Sequence, residues 1–197
     1  KAAFIEGNRK INNLNKVKNP APDYLVNDYW ACVACGGYIN YNKLYYGNIG
    51  DCGITVIDDK GKKIFITKNS VKVFDNYFYN ISPIKNFDWN KPEYRVLVRK
   101  KFRNNINQKY KGEVVSYGAL TGEKSAEEFI ETGEVNLGKD YLILFYSDGF
   151  DDLLNEKEFY PVVLESLAKK LTEPIETLSN KFAKQEVAKY GRERSLI

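Results

Sequence analysis

The chain has 197 residues, of which 43% are hydrophobic and 28% charged, and its formal net charge is +4. These values are ordinary for one globular domain, so we expect residues 1–197 to form a single domain. No apolar run approaches the roughly 20 residues that a membrane-spanning helix needs, and no signal-peptide pattern opens the sequence. We therefore expect a cytoplasmic protein without a membrane partner. Histidine is absent, which excludes Ser-His-Asp and Cys-His catalysis and the common histidine-bearing zinc sites.

The first third of the chain predicts one helix followed by short strands. Apolar residues recur at roughly helical spacing over residues 2–16, and the Pro-containing segment after Asn19 ends that helix. The strands are predicted at 29–38, 44–48, 53–57 and 63–67. Because brief turns join them, they favour an antiparallel meander. Residues 69–90 are rich in aromatic residues and Asn without a clear period, which predicts a loop or flap.

The remainder of the chain alternates helices and strands. Asn90 and Pro92 predict the start of a helix, and strands are expected at 113–116, 129–135 and 141–146. Two further helices are predicted, the first capped by Asn155 and the second starting at Thr172 and ending at Gly191. Their predicted inner faces consist of Phe159, Val163, Leu167 and Leu171 in the first helix and Ile175, Leu178 and Phe182 in the second. Residues 195–197 begin a final strand.

Two local clusters allow a functional and a structural interpretation. Cys32 and Cys35 have the spacing of a zinc or redox pair, but residues three apart on a strand point to opposite faces. No second pair is present to complete a zinc site, so buried thiols are the favoured interpretation. The basic cluster of residues 99–103 could contact nucleic acid, but no nucleic-acid motif accompanies it. A solvated helix face is favoured, and no nucleic-acid partner is expected.

The first segment with unusual chemistry is Gly47–Gly53, where three glycines surround Asp51 between two predicted strands. Glycine permits a sharp bend and a close approach of a ligand to the backbone. A hairpin corner in which Asp51 caps its own turn explains the same pattern. Both interpretations stay open at this point.

The second such segment is Ser147–Asp152, which follows the apolar strand at 141–146. If a helical turn starts here, Asp148 and Asp152 lie one turn apart and can share a face. Clustered carboxylates repel one another, and a divalent cation relieves that repulsion. Ligands that are all oxygen favour Mg²⁺ or Mn²⁺ over zinc or copper. A solvated cluster at a helix start is the equally weighted alternative.

These two segments resemble the type 2C family of metal-dependent protein phosphatases. That family has a strand, a Gly-Asp-Ser bend and a second strand, which match residues 44–52 with Cys52 in place of the serine. It also has an apolar strand ending in Ser-Asp-Gly and a further Asp, which match residues 142–152. The order of the flanking helices agrees as well, and the resemblance spans nearly the whole chain.

The resemblance implies an α+β fold with two packed, mainly antiparallel β-sheets flanked by helices, a four-layer α-β-β-α sandwich. It implies Mg²⁺ or Mn²⁺ as the cofactor. Asp148 matches a ligand of the core metal pair, and Asp152 and Asp51 match positions associated with an additional, weaker metal. In the family, a water bridging two metals attacks phosphorus without a covalent intermediate.

Three departures from the family pattern follow from the sequence. The early Asp-Gly motif with its histidine acid, and the arginine that grips phosphate, have no counterpart, so we expect an N-terminally incomplete domain in which no catalytic residue is identifiable. Arg192 stands where the family has a last metal-binding aspartate, and Glu193 could substitute for that ligand. Arg192 could instead hold phosphate, and Gly149 is a further candidate contact with substrate.

The sequence therefore predicts a protein serine/threonine phosphatase, a hydrolase whose active site is incomplete in this chain and whose partner is a phosphoprotein substrate. The alternative is a catalytically inactive, phosphatase-like domain with a binding or regulatory role and a protein partner. For an enzyme, we expect an Asp-Gly-His-Gly-like or Asp-Gly-Met-Gly-like segment upstream of residue 1.

Overall fold

The computed structural model describes residues 1–84, 88, 90–186 and 195–197. Its five α-helices within these ranges are α1 (Ala2–Lys18), α2 (Ser70–Asn76), α3 (Pro92–Lys101), α4 (Phe159–Lys169) and α5 (Glu173–Gln185). Its eight strands there are β1 (Ala34–Asn40), β2 (Lys43–Ile49), β3 (Gly53–Asp58), β4 (Lys63–Ile66), β5 (Lys109–Tyr110), β6 (Glu113–Val114), β7 (Glu131–Asn136) and β8 (Tyr141–Tyr146). A π-helical turn at Tyr77–Ile81 and short 3₁₀ turns complete these elements.

The strands form small sheets in the orders β1-β2-β7, β4-β3-β8 and β5-β6. β3 pairs antiparallel with both β4 and β8, and its register with β8 runs from Gly53–Tyr146 to Asp58–Tyr141. The predicted α+β class with antiparallel sheets is confirmed. The predicted single meander is wrong, because β1 and β2 lie in a different sheet from β3 and β4. The bend after Ile49 therefore carries the chain from one sheet to another.

The chain divides into two compact units. Unit 1 comprises Lys1–Cys35, Tyr46–Asp51 and Asn69–Gly133, and unit 2 comprises Gly36–Tyr45, Cys52–Lys68 and Glu134–Ile197. The interpretation of residues 1–197 as a single domain stays a prediction.

Unit 2 is built around the apolar strand β8 and the two helices that follow it. Ile57, Leu144 and Tyr146 from the sheet pack with Phe150 and Leu153 from the turns after β8. The helices add Phe159, Tyr160, Val163 and Leu178, with Ile175 and Phe182 partly buried beside them.

Two leucines of the predicted inner faces lie outside this core. Leu167 and Leu171 are 59% and 52% exposed, so the prediction that they face inward is wrong. Helix α4 begins at Phe159 rather than after Asn155, which lies in a 3₁₀ turn. Leu171 lies beyond the end of α4 at Lys169, after the left-handed Lys170, and so does not continue the inner face of the helix.

Unit 1 contains a helical segment where the sequence pattern predicts a loop. Asn69 caps α2, since its Oδ1 accepts hydrogen bonds from the backbone N–H groups of Val71 at 2.9 Å and Lys72 at 3.2 Å. Phe74 and Phe78 from this segment pack against Val98 and Phe102 of the α3 region. Phe74 and Phe78 are thus core residues of a helical segment rather than parts of a flap.

Several other boundaries shift. The predicted strand at 29–38 begins only at Ala34, and Cys32 forms an isolated bridge with Leu120 instead. Cys32 is exposed, so the prediction of a buried thiol is wrong for it, whereas Cys35 and Cys52 are half-buried. Leu196 bridges to Tyr146, which is consistent with the predicted final strand. The predicted helix end at Gly191 lies outside the described residues. Among the described residues, no helix is both long and apolar enough to cross a membrane.

Candidate functional site

The turn after β8 positions the carboxylate of Asp148, the predicted ligand of the core metal pair. Ser147 is tied to the C-terminal segment, because its N–H donates to the carbonyl oxygen of Ser195 at 3.0 Å and its Oγ accepts from the N–H of Ser195 at 2.9 Å. Asp148 then opens a 3₁₀ turn that ends at Phe150. The buried side chains of Tyr146 and Phe150 anchor both sides of this turn in the core of unit 2. Asp148 is therefore held at the end of the strand by its neighbours in the chain.

The acidic residues of this segment differ in burial. Asp148 and Asp152 are half-buried, whereas Asp151 is only 7% exposed. The carbonyl oxygen of Asp151 accepts a hydrogen bond from Nδ2 of Asn155 at 3.1 Å. Two successive 3₁₀ turns replace the single helical turn that would have set Asp148 and Asp152 one regular α-helical turn apart.

Asp151 is the residue of this segment that sequence reasoning left out of the site. No local sequence signal indicates its burial, because this burial depends on how the core of unit 2 packs around the turn. A nearly buried carboxyl group therefore lies in the same turn as the candidate ligand Asp148.

Asp51 lies in unit 1, at the end of the bend that follows β2. Gly50 precedes it with φ of +95°, and a Cβ at Gly50 would collide with Cγ1 of Val33. Only glycine fits both the left-handed backbone and this close contact. The glycine therefore fixes the path by which the half-buried Asp51 leaves the strand.

The surroundings of Asp51 include Tyr117, whose hydroxyl is strongly perturbed. Burial raises the pKa of Tyr117 to about 12; the charges of Arg103 and Arg99 act against this shift, and those of Asp28 and Asp51 add to it. Tyr117 is therefore a neutral phenol near physiological pH and is not suited to act as a base there.

The same unit contains a buried ion cluster. Arg103 Nη1 and Nη2 donate to the two carboxylate oxygens of Asp28 at 3.0 and 2.8 Å, and Arg99 Nε lies 3.0 Å from Oδ2. Burial alone would raise the pKa of Asp28, but the hydrogen bonds and charge of Arg103, with help from Arg99, hold it below its usual value. The predicted solvated helix face is wrong for Arg103, because only 6% of its side chain is exposed.

The predicted ligands only partly fit a divalent metal. Their carboxylate oxygens are the ligand type that Mg²⁺ and Mn²⁺ prefer. Within the described ranges, however, no three residues of the types His, Cys, Asp and Glu form a group that could hold a metal ion. Asp148 and Asp152 belong to unit 2 and Asp51 to unit 1, while Arg192 and Glu193 lie outside the described residues. The described part of the chain thus provides suitable ligand chemistry without a complete metal centre.

Two solved structures of phosphatases are similar to this chain, whereas no family model and no curated protein matches it. The serine/threonine phosphatase PstP/Ppp of Mycobacterium tuberculosis has 18% sequence identity and a TM-score of 0.48, and the match covers 82% of this chain and 54% of that one. The photosystem II phosphatase PBCP has 16% identity and a TM-score of 0.44, with 84% of this chain and 56% of the other covered. The chain spans about half the length of both.

Proposed function

We propose that the protein hydrolyses phosphoserine or phosphothreonine in protein substrates, in a metal-dependent reaction of the type 2C phosphatase kind. The observation that supports this most directly is the turn Ser147–Asp148–Gly149. An apolar strand delivers a carboxylate to the end of the sheet, and the turn is anchored by the core on both sides. This arrangement agrees with the strand-to-turn context that the resemblance implies for the Ser-Asp-Gly motif.

In this proposal Asp148 is a metal ligand, Asp152 binds an additional ion, and the cation is Mg²⁺ or Mn²⁺. Such a cation, when bound, lowers the pKa of a coordinated water and neutralises charge on phosphate oxygens. The chain itself provides negative charge in a short turn: Asp148, the nearly buried Asp151 and Asp152 lie within five residues. Gly149 is buried and has no side chain, and we propose that its backbone lies close to the substrate.

Three further residues take proposed roles that rest on the resemblance. Asp51 is proposed as a metal ligand. Arg192 is proposed as a phosphate contact, because a guanidinium can donate two parallel hydrogen bonds to phosphate oxygens. Glu193 is proposed as the ligand that substitutes for the family's last aspartate.

An inactive, phosphatase-like binding domain is the second candidate. The chain has no histidine. This absence does not separate the two candidates, because the proposed reaction depends on a metal ion rather than on an imidazole group.

Turnover separates the candidates. Purified full-length parent protein is incubated with a phosphothreonine peptide, and released phosphate is measured with Mn²⁺, with Mg²⁺ and with excess chelator. We expect release with either metal and none with chelator. Release that is unaffected by the chelator would contradict the metal-dependent mechanism, and no release under any condition would favour the binding domain.

A further inference from the structure

Positive charge is concentrated in one stretch of unit 1. Residues 91–111 contain eight Lys or Arg and a single acidic residue, Glu93, so this stretch has a net charge of +7. Since the whole chain has a net charge of +4, the other 176 residues together are net negative at −3. The basic character of the protein is thus a local property of this stretch.

The fold brings four exposed lysines of this stretch onto neighbouring elements. We call Lys100, Lys101, Lys109 and Lys111 the basic surface; the first two end α3 and the others belong to the β5–β6 hairpin. A series of contacts joins the two elements. Phe102 packs on Tyr77 with ring centroids 6.2 Å apart, Tyr77 packs on Tyr110 at 5.4 Å, and Asn105 Nδ2 donates to the carbonyl oxygen of Lys101 at 2.9 Å.

The lysines of the basic surface differ from other lysines in their partners. Lys43, Lys124, Lys169 and Lys181 each pair with a carboxylate. Over the described part of the chain, no lysine of the basic surface forms such a pair. The one nearby carboxylate in a described ion pair, Asp28, is already shared by Arg99 and Arg103. The four ammonium groups therefore form no described ion pair, although those of Lys100 and Lys111 lie over tyrosine rings.

A helix dipole accounts for part of this arrangement only. Basic residues in the last turn of a helix interact favourably with its C-terminal carbonyl groups, which explains Lys100 and Lys101. It does not explain Lys109 and Lys111, which lie on a hairpin. Like charges gathered on one surface cost stability, and Glu113 on the same hairpin can offset only one of the four. A binding role is a physical reason for keeping them together.

We propose that the basic surface is a docking site for an acidic segment of a partner protein. Charge complementarity selects an anionic partner and speeds its association. The aromatic rings beside the lysines are already occupied, since Tyr77 contacts Phe102 and Tyr110, and Lys111 Nζ lies over the Tyr110 ring at 5.4 Å. Stacking of nucleic-acid bases needs free aromatic faces, so an acidic polypeptide fits better than a nucleic acid. The proposal does not depend on phosphatase activity.

The test uses a fluorescein-labelled poly-glutamate peptide and fluorescence anisotropy, with the variant Lys101→Gln/Lys109→Gln/Lys111→Gln. Lys100 is left intact because its Nζ lies over the Tyr24 ring. The matched control is Lys60→Gln/Lys139→Gln/Lys157→Gln, which removes the same charge from exposed positions of unit 2. We expect the first variant to bind about tenfold more weakly, since each exposed ion pair contributes a factor of about two. The control should match the unaltered protein, and binding to that protein should weaken with added salt.

Equal weakening of both variants would overturn the proposal, because net charge rather than this surface would then govern binding. Absence of binding by the unaltered protein would overturn it too. A single-stranded oligonucleotide and an anionic lipid vesicle are tested as competitors of the peptide. If either one displaces the peptide, and if the first variant weakens binding of that competitor more than binding of the peptide, the acidic polypeptide is the wrong partner. The single variant Lys109→Gln guards against a folding defect, and it should weaken binding about twofold.

Discussion

Arg103 donates two hydrogen bonds, of 3.0 and 2.8 Å, to the carboxylate of Asp28, 75 residues away in sequence. This ion pair is largely buried, because only 6% of the Arg103 side chain and 18% of the Asp28 side chain are exposed. The pair fastens the segment before β1 to the residues just after α3, within unit 1. Removing either partner should therefore lower the free energy of unfolding.

Replacing Asp28 with asparagine should destabilise the protein markedly. The substitution leaves the buried guanidinium of Arg103 without its counter-charge. We expect the free energy of unfolding to fall by about 2 kcal/mol. This loss is smaller than the roughly 3–5 kcal/mol expected for a fully buried pair, because water still reaches Asp28. Urea denaturation measures this loss. The matched control is Glu6→Gln, because Arg9 also binds Glu6 through two hydrogen bonds but both side chains are exposed. A control as destabilised as Asp28→Asn would contradict the role of burial.

The same pair predicts a loss of stability in acid. The pKa of Asp28 is lowered in the folded protein, so its contribution is present above the unfolded-state pKa of about 3.9 and is lost as pH falls through the lower, folded value. The difference in unfolding free energy between the unaltered protein and Asp28→Asn should be constant from about pH 6 to pH 8 and shrink below about pH 4. Urea denaturation of both proteins across this range measures it. A difference that persists unchanged in acid would show that Asp28 acts through packing rather than charge.

A methyl group at Gly50 should disturb the bend that carries Asp51. Gly50→Ala forces a left-handed backbone on alanine and brings its Cβ against the Val33 side chain. We expect a loss of about 2–3 kcal/mol in the free energy of unfolding, since strain and overpacking add. Gly138→Ala is the control, because nothing lies within 4 Å of a Cβ there. Similar thermal midpoints for Gly50→Ala and the unaltered protein would contradict the assigned geometry.

Elements set by local patterns could be predicted from the sequence. The strand at 141–146 has the predicted bounds, because a continuous apolar run next to a turn leaves few alternatives. The apolar spacing of residues 2–16 predicts helix α1 but not its polar anchors. The Nδ2 groups of Asn8 and Asn15 donate to the carbonyl oxygens of Glu123 and Thr121, more than 100 residues away. Contacts at such a distance in sequence leave no local pattern.

In the candidate site, too, local features could be predicted from the sequence and features that depend on distant contacts could not. The Ser-Asp-Gly turn at Asp148 could be located from the sequence, because the strand before it and the glycine within it are local features. The burial of Asp151 depends on the core of unit 2, and the pairing of Arg103 depends on Asp28. Neither could be inferred from the pattern of charges along the sequence, because that pattern does not show which distant residues pack against a charged side chain.

The most direct test of the proposed function compares Asp148→Asn with Asp140→Asn. Asp140 is an exposed residue in the turn before β8 and serves as the control. Isothermal titration with Mn²⁺ measures affinity for the unaltered protein and both variants, and circular dichroism establishes that each is folded. We predict that Asp148→Asn loses at least about tenfold in Mn²⁺ affinity, because it removes a charged ligand from the centre. Asp140→Asn should bind as the unaltered protein does. Unchanged affinity in a folded Asp148→Asn protein would contradict the assignment of Asp148 and, with it, the proposed metal-dependent phosphatase.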